Sequence, residues 1–530
     1  MASPQPSSIY DGWSREELIA RLTELDHKPK QRPPSPKPRH KAFHFATYSR
    51  RKIALKFCYS GWEYGGLAFQ NTKTPLPTVE AVMFDAFVKA RLIDPEAGFE
   101  GCGWEKCGRT DRGVSAAGQV ISLWVRSALG TESGTDSPAE VVDKNKDVSS
   151  MPSAVDIPSS EEETPSSVTP QEDTNVIPRL EYGFDEDDLD APQSSSNLTI
   201  PPLKTKPKFE HDYLSILNRL LPPTIRILAW SPVSDKFSAR FSCTYRHYKY
   251  FFSPDTFSGP GLDVERMRAA ASRLIGEHDF RNMCKIDAGK QITMFRRNVM
   301  RAEINVVSVD GDGKGMYVFN LIGSAFLYHQ VRHIMAILFM VGSGLEDPSV
   351  VTTLMNVEPG LEKPDDDSQT PLEVVDRKPE YQMADALPLV LWDCGYPDTE
   401  LDWRINSYDS EEDNENWKGT ELYQQLHAIH SRSQIYTALN NHFLVAASPF
   451  HLPTPAPPSI SSPVPNKLFI PLGGGAYRRT GEDKYVPLLK RNRLDHVDVV
   501  NERWRVGKGF RRNERRRVAE ESDDDDDGNE

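Results

Sequence analysis

Cys107-Gly108-Arg109-Thr110-Asp111-Arg112-Gly113-Val114-Ser115-Ala116 is the stretch from which the rest of the chain can be interpreted. Its two glycines indicate a tight turn, and the apolar run from Gln119 to Val125 predicts a buried strand directly after it. Two guanidinium groups beside Asp111 favour its ionised form and attract phosphate. An ionised carboxylate here could act as a nucleophile or base, although aspartate beside glycine is also common in turns for backbone reasons alone.

The pattern Gly-Arg-Thr-Asp-x-Gly-Val before a strand resembles the catalytic loop of the TruA family of tRNA pseudouridine synthases. In that family the aspartate of this loop is the catalytic residue, so the resemblance implies that role for Asp111. It also implies that Arg109 fills the space left by a flipped base or holds its phosphate. Arg112 is expected to bind the substrate beside it.

A second motif runs from Phe237 to Tyr250, where tyrosines interleave with basic residues. This interleaving suits base stacking combined with phosphate contact, but an amphipathic strand with a tyrosine edge would look the same. The TruA family has a similar Ala-Arg-Phe-Ser-x-Thr segment before a Tyr-x-Tyr strand, and its first tyrosine stacks on the target base. The resemblance assigns this role to Tyr248, with Arg246 and Lys249 facing backbone phosphates.

A third motif, Ala325 to Ile334, is predicted to open an apolar helix that runs to about Val341. An arginine within such a helix is costly unless it is paired, and Asp111 is the obvious partner. The family has a Phe-x-x-x-x-Val-Arg helix whose arginine forms a salt bridge with the catalytic aspartate. We therefore expect Arg332 to hold Asp111 in place and to keep it ionised.

Further segments resemble parts of the same family. The run Leu387–Asp393 is similar to the family's closing strand, which places an apolar side chain, here Leu387, under the target base. Segments 376–384, 277–285 and 484–491 are most similar to the eukaryotic branch that modifies positions 38 and 39 of the tRNA anticodon arm. Residues Gly276 to Lys285 are predicted to form a turn after a helix.

The predicted fold class is α+β. Ile53 to Tyr59 alternates as a strand, an aromatic glycine-rich loop follows at 62–66, and Thr78 can cap an amphipathic helix. The resemblance implies a pseudouridine synthase fold, in which two antiparallel-sheet lobes flanked by helices surround a central basic cleft with Asp111 at its floor. The loop after the first strand would help form the wall of the site, through Tyr59 and Trp62.

We predict four regions: an N-terminal helix and basic Pro-rich linker (1–50), a first catalytic lobe (51–252), a second catalytic lobe (253–397), and a C-terminal extension with linkers and a charged tail (398–530). Within the first lobe, segment 128–200 holds 17 acidic and three basic residues. Such a composition, almost without aromatic residues, is typical of a disordered insert.

The formal net charge of −14 at first argues against an RNA-binding protein. Segment 128–200 alone carries −14, and the tail from Val518 to Glu530 carries −8. The remaining residues therefore carry +8. The part expected to fold is mildly basic, as phosphate binding requires.

The sequence does not support a metal site, a nucleotide-binding loop or a membrane span. The six cysteines include no Cys-x-x-Cys, and no His-x3-5-His follows the close pair at 102 and 107, so no metal is expected. Gly473-Gly474-Gly475 lacks the Gly-Lys-Ser/Thr ending of a P-loop. We find no signal peptide and no apolar run of the roughly 18 residues that a membrane span needs. We expect a location in the nucleus and cytoplasm. The basic run 511–517 fits a nuclear signal, an RNA contact or a solvated basic tail.

The predicted function is isomerisation of uridine to pseudouridine at position 38 or 39 of the tRNA anticodon stem-loop, with Asp111, Tyr248 and Arg332 as catalytic residues. The reaction needs a flipped base, a carboxylate near the ribose and exclusion of water, but no metal, redox cofactor or nucleotide. The partner is tRNA, and the family implies a homodimer. Three alternatives remain: the same chemistry on another RNA, a catalytically silent RNA-binding protein, and a scaffold that binds partners through its N-terminal helix and acidic segments.

Overall fold

The computed structural model describes residues 14–15, 19, 43–72, 74–129, 209–254, 261–309, 315–364, 371–405, 418–451, 467–481, 484–511 and 514. The chain divides into two units, Met1–Thr47 and Tyr48–Glu530. In the first unit, Phe45–Thr47 forms one 3-10 turn. Most of the predicted N-terminal helix, the Pro-rich linker, the acidic insert from residue 130 onward and nearly all of the charged tail lie outside the described residues.

The second unit is built on one large mixed sheet in the order β4-β1-β3-β9-β5-β8-β7-β6, with β2 also paired to β3. Its strands are β1 (Arg50–Tyr59), β2 (Glu105–Lys106), β3 (Ser115–Arg126), β4 (Ile225–Pro232), β5 (Tyr245–Phe252), β6 (Gly276–Asp279), β7 (Arg296–Val309), β8 (Gly315–Gly323) and β9 (Leu389–Gly395). The expectation of antiparallel pairing holds for every pair except β3 and β9, which run parallel. This pair joins two antiparallel halves of the sheet, and β5 lies in the half that contains β9.

Helices accompany the sheet, and the longest of those described, Lys418–Ala447, was not predicted from the sequence. They are α1 (Val79–Lys89), the single turn α2 (Gly98–Gly101), α3 (Tyr213–Leu220), α4 (Val264–Ser272), α5 (Gln330–Gly342), α6 (Val350–Met355), α7 (Lys418–Ala447) and α8 (Val497–Trp504). Thr78 caps α1 as predicted, because its side chain accepts a hydrogen bond from the amide of Ala81. None of the described helices is both long and apolar enough to cross a membrane.

Helix α5 is the centre of the core in the second half of the unit. Every residue of α5 except Arg332 is buried, which explains why the sequence is apolar on all sides of this helix. Phe339 packs its ring against Tyr250 and Phe252 of β5, with centroids 6.0 and 5.8 Å apart. The helix that carries Arg332 is thereby fixed to the strand that carries Tyr248.

Several local expectations are corrected. Helix α5 begins at Gln330 rather than near Ala325, because His329 adopts a left-handed backbone conformation with φ of 59°. Gly276–Asp279 is the short strand β6 rather than a turn, because it pairs with β7 along its whole length. The glycine run at 473–475 turns between β10 (Lys467–Gly473) and β11 (Ala476–Gly481), a hairpin that the sequence analysis missed. Strands β7 and β8 pair antiparallel, and the residues that connect them lie outside the described residues.

Phe339 gives a test of this packing. Phe339→Ala should lower the free energy of unfolding by about 3–5 kcal/mol, because a fully buried aromatic side chain is replaced by a cavity. Phe450, which is 84% exposed, is the matched control, and Phe450→Ala should change stability by less than about 0.5 kcal/mol. Denaturant titrations of both variants measure the difference, and equal midpoints would contradict this account of the core.

Candidate active site

Residues 107–114, here called the Asp111 loop, connect β2 to β3 and are held by side chains from three strands. The hydroxyl of Tyr59 on β1 lies 2.5 Å from Thr110 Oγ1. Gln119 on β3 donates from Nε2 to the carbonyl of Gly108 at 2.8 Å, and Arg246 on β5 donates to the carbonyl of Cys107 at 2.9 Å. The backbone that presents Asp111 is therefore fixed on the side that precedes it.

The loop after β1 packs directly against the other side of the Asp111 loop. A β-carbon at Gly61 would lie 2.1 Å from the carbonyl oxygen of Val114, so only glycine allows the two loops to approach this closely. The amide of Gly61 also donates to Ser115 Oγ at 2.9 Å. Of the two residues expected to form a wall here, Tyr59 is buried against the loop, whereas Trp62 is exposed.

The carboxylate of Asp111 is partnered by the start of α5. Its Oδ2 lies 3.3 Å from His329 Nε2 and 3.6 Å from Arg332 Nη1, and the Asp111 side chain remains 24% exposed. Arg332 is anchored in turn, because its Nε donates to the carbonyl of Ala384 at 2.8 Å. Arg109 and Arg112 are both exposed, and neither forms an ion pair with Asp111. The charge partners of Asp111 thus come from across the sheet and not from its own loop.

Tyr248 lies two strands away from the start of β3. It is opposite Leu391 on β9, and Leu391 pairs with Ala116 on β3, a separation of about 10 Å at ordinary strand spacing. Its ring meets Phe326 edge to face, with centroids 5.0 Å apart. Burial raises the pKa of the Tyr248 hydroxyl well above its ordinary value, and the negative charge of Asp111 adds to the effect. The hydroxyl therefore keeps its proton at neutral pH.

The two basic residues beside Tyr248 differ in their surroundings. The guanidinium of Arg246 donates to the carbonyls of Ser324 and Cys107 at 2.8 and 2.9 Å and to that of Arg240 at 3.2 Å. Lys249 is the next residue along β5 and so points to the opposite face of the sheet from Tyr248; its Nζ lies 3.4 Å from the centroid of the Trp392 ring. Contacts of Arg246 and Lys249 with RNA phosphates stay predictions.

The segment before β9 borders the Asp111 loop. A β-carbon at Gly113 would lie 3.3 Å from Cβ of Ala386, so the two backbones are close neighbours. Leu387 follows directly, with an exposed side chain and an amide that donates to Asp385 Oδ1 at 2.8 Å. An accessible apolar side chain thus stands next to the loop, where the sequence resemblance expects one under a base.

The sequence analysis missed a group of side chains near Asp111. Lys285 donates its amide to the carbonyl of Tyr328, and the ammonium groups of Lys285 and Lys290 lie 5.8 and 5.6 Å from the Tyr328 ring centroid. Burial, together with the charges of Asp111 and Asp287, raises the pKa of Tyr328 to about 12. Tyr328 and His329 stand four and three residues before Arg332, and this one-turn spacing was the signal that could have identified them.

Lys378 is a second missed cation, buried beneath α5. Its Nζ donates to the carbonyl of Cys284 at 2.8 Å and lies 3.0 Å from His333 Nε2. Burial lowers the pKa of Lys378 to about 8, and burial together with the charge of Lys378 lowers the pKa of His333 well below its ordinary value. The residue after Arg332 is therefore the neutral partner of a buried lysine.

Cysteines also lie behind the Asp111 loop. The sulfur atoms of Cys107 and Cys243 are 3.3 Å apart. Hydrogen bonding with Cys243, helped by the charge of Arg246, lowers the pKa of Cys107. Within the described ranges, no three His, Cys, Asp or Glu side chains are arranged to hold a metal ion.

Comparison with known proteins identifies a family and several relatives. A family described as tRNA pseudouridine synthase matches residues 270–397, a range that includes Arg332 and Leu387 but not Asp111 or Tyr248. The chain is 34% identical over 521 residues to the tRNA pseudouridine(38/39) synthase of Saccharomyces cerevisiae, which covers 94% of this chain and 92% of the yeast protein.

Two further relatives, one matched over only part of its length and one less similar, have related names. The Homo sapiens tRNA pseudouridine(38/39) synthase is 36% identical over 363 residues, covering 67% of this chain. The match spans only 58% of the human protein, which is less than two thirds of its length. The tRNA pseudouridine synthase A of Methanosarcina mazei is 28% identical over 315 residues, covering 59% of this chain and 79% of that protein.

The buried position of Lys378 predicts a specific pH dependence of stability. Below pH 8 its ammonium is charged in both the folded and the unfolded chain, and its burial opposes folding. Between about pH 8 and its ordinary pKa of 10.5 the folded protein loses this proton while the unfolded chain keeps it. The free energy of unfolding should therefore rise with pH across this interval, by up to about 3 kcal/mol.

Lys378→Met should abolish that rise, whereas Lys236→Met, at an exposed position, should retain it. Denaturant midpoints measured from pH 7.5 to 10.5 for the three proteins give the comparison. The account of Lys378 is wrong if the pH profiles of the wild type and Lys378→Met run parallel.

Proposed function

Because the chain belongs to the TruA family of tRNA pseudouridine synthases, we propose that it isomerises uridine to pseudouridine at positions 38 and 39 of the tRNA anticodon stem-loop. The observation that carries the proposal is the Asp111 carboxylate, which is partly exposed at the start of β3 and is contacted by Arg332 and His329 from α5. The yeast and human relatives that bear the name tRNA pseudouridine(38/39) synthase support the choice of positions.

The reaction breaks the bond from N1 of uracil to C1′ of the ribose and forms a bond from C5 to the same carbon. C5 loses its proton and N1 gains one. Because substrate and product are isomers, no co-reactant is consumed. Asp111 starts the reaction, either by attack on the nucleoside or by removing a proton from the sugar. Both routes need an ionised carboxylate close to the ribose of a nucleotide that has left its stack, and Arg332 holds that carboxylate in position.

The remaining residues bind the extruded nucleotide. Tyr248 stacks on the uracil and, with a hydroxyl that keeps its proton, can donate a hydrogen bond or pass on a proton. Leu387 supports the base from below. Arg109 fills the vacated space in the RNA or holds the adjacent phosphate, and Arg112 contributes a second exposed guanidinium on the same loop.

Arg246 and Lys249 extend phosphate binding beyond the extruded nucleotide in this proposal. Arg246 combines this role with its contact to the carbonyl of Cys107, which links RNA binding to the Asp111 loop. Lys249 would bind phosphates in a part of the RNA that passes the opposite face of the sheet at β5.

We extend the proposal to architecture and cellular context. The two halves of the sheet act as two lobes around a basic cleft with Asp111 at its floor, and segment 245–252 at the end of the first predicted lobe supplies β5 to the second half. The enzyme works as a homodimer in the nucleus and cytoplasm.

Pseudouridine mapping tests the function directly. Wild-type protein incubated with tRNA transcripts should produce pseudouridine at 38 or 39, and Asp111→Asn should produce none, because the amide can neither attack nor accept a proton. Asp85→Asn, on the exposed face of α1, is the matched control and should retain full activity. Modification at another position would keep the chemistry and reject the choice of site. A folded wild type that binds tRNA without modifying it would instead identify a silent RNA-binding protein.

Tyr248→Phe separates stacking from proton chemistry. The variant keeps the ring and loses the hydroxyl, so the apparent Kd for tRNA should stay within about twofold while the single-turnover rate falls roughly tenfold or more. Tyr317→Phe, at the far end of the β5–β8 pairing, is the control and should leave both constants unchanged. An unchanged rate in Tyr248→Phe would remove the hydroxyl from the proposed mechanism.

A further inference from the structure

The carboxylate of Asp111 has two neighbours in the segment that opens α5. Its Oδ2 lies 3.3 Å from His329 Nε2 and 3.6 Å from Arg332 Nη1. We propose that His329 is a second positioning residue for Asp111, and that it works with Arg332 to hold the carboxylate in the orientation from which it reacts. This inference rests on the proposed function.

His329 makes the shorter of the two contacts. Its Nε2 lies 3.3 Å from Oδ2, and the guanidinium of Arg332 lies 3.6 Å from the same atom. The His329 side chain is only 6% exposed, so this contact lies in a largely dehydrated environment, where a polar interaction is stronger than in water. Two neighbours restrict the position and rotation of the carboxylate more than a single cation can.

The backbone of His329 has an unusual conformation that places its ring beside Asp111. Its φ of 59° and ψ of 11° place it in the left-handed region, which costs energy for a residue with a side chain and is concentrated at functional sites. The residue occupies the position just before α5 but makes no side-chain cap to the helix. The carbonyl of His329 accepts a hydrogen bond from the amide of His333 at 3.1 Å, while the side chain is left to contact Asp111.

Neighbouring contacts hold this conformation. The ring of Tyr328 lies against that of His329, with centroids 3.7 Å apart. Gln330 caps the turn, because its Oε1 accepts a hydrogen bond from the amide of Leu327 at 2.8 Å. The amide of Lys285 binds the carbonyl of Tyr328 at 2.9 Å. The segment 327–330 is thus fixed on both sides of His329, and the imidazole has little freedom to leave Oδ2.

The arrangement suits either route of the proposed reaction. In attack, the carboxylate forms a bond to C1′ as the N1–C1′ bond breaks; in proton abstraction, the carboxylate accepts the proton from the sugar. In both cases a carboxylate that is already held by two neighbours needs no reorientation before it acts. Because His329 acts through Asp111 in this proposal, its removal should affect the chemical step more than tRNA binding.

The test uses two substitutions in the full-length protein. His329→Gly removes the imidazole while relaxing the left-handed backbone, so the fold is retained; His329→Gln restores a donor of similar reach. The matched control is Arg91→Gly, since Arg91 also has a positive φ, of 53°, and lies beside Arg126 at the opposite end of β3 from the Asp111 loop. The single-turnover rate of pseudouridine formation, the apparent Kd for tRNA and the thermal midpoint are measured for all four proteins.

We expect His329→Gly to lower the single-turnover rate at least tenfold with an apparent Kd within twofold of wild type, His329→Gln to recover part of the rate, and Arg91→Gly to match wild type. A His329→Gly rate within twofold of wild type would overturn the inference while leaving the proposed function intact. Equal losses in His329→Gly and His329→Gln would also overturn it, since a donor of similar reach would then be irrelevant. A wild type that forms no pseudouridine would reject the proposed function together with this inference.

Discussion

The rest of this structure depends on one requirement, that a carboxylate largely withdrawn from water needs partners. Asp111 lies at the edge of a buried strand with about three quarters of its side chain covered, and a charge in that position is stabilised only by nearby donors or cations. Its own loop does not supply them, since Arg109 and Arg112 point outward. The partners are supplied by α5, which lies more than two hundred residues further along the chain. The site therefore exists only when both halves of the sheet have formed.

The parallel pairing of β3 with β9 joins those halves and places the segment before β9 next to the Asp111 loop. Because parallel strands begin at the same edge of a sheet, the Asp111 loop before β3 and the segment 384–388 before β9 emerge side by side. In the same segment, the carbonyl of Ala384 accepts a hydrogen bond from Nε of Arg332. With antiparallel pairing at this one junction, the segment that anchors Arg332 would leave the sheet at the far end from Asp111. A short pairing of two residue pairs thus decides whether the arginine can reach the carboxylate.

Much of this could be predicted from the sequence, and the exceptions have physical causes. The arginine of an apolar helix needs a carboxylate, which is why the proximity of Arg332 and Asp111 was predictable. Alternation located β1, an apolar run located β3, and interleaved tyrosines located β5. Alternation says nothing about whether two strands run parallel, so the β3–β9 junction was not predictable.

The same apolar pattern that located α5 extended it to Ala325, because a left-handed residue at His329 leaves no trace in hydrophobicity. Lys378 was missed because a lysine is ordinarily exposed, and its burial depends on the carbonyl of Cys284 far away in the sequence. The roles assigned to the site residues and the limits of the lobes remain predictions.

The charged groups around Asp111 affect one another, and they would also affect RNA binding. Arg332, Lys285 and Lys378 stand close enough to perturb the ionisable groups around them: the charges of Lys378, Arg332 and Lys285 help to lower the pKa of His333, and that of Lys285 helps to lower the pKa of Lys378. The pKa of Lys285 is lowered by burial even though Asp111 and Asp287 oppose the shift. The partly exposed carboxylate of Asp111 thus belongs to a cluster of charged groups that act on one another, in which Asp287 is a second carboxylate. Under the proposed function, a phosphate of the RNA would add negative charge beside Lys285 and Arg332, and these cations would favour its binding near Asp111.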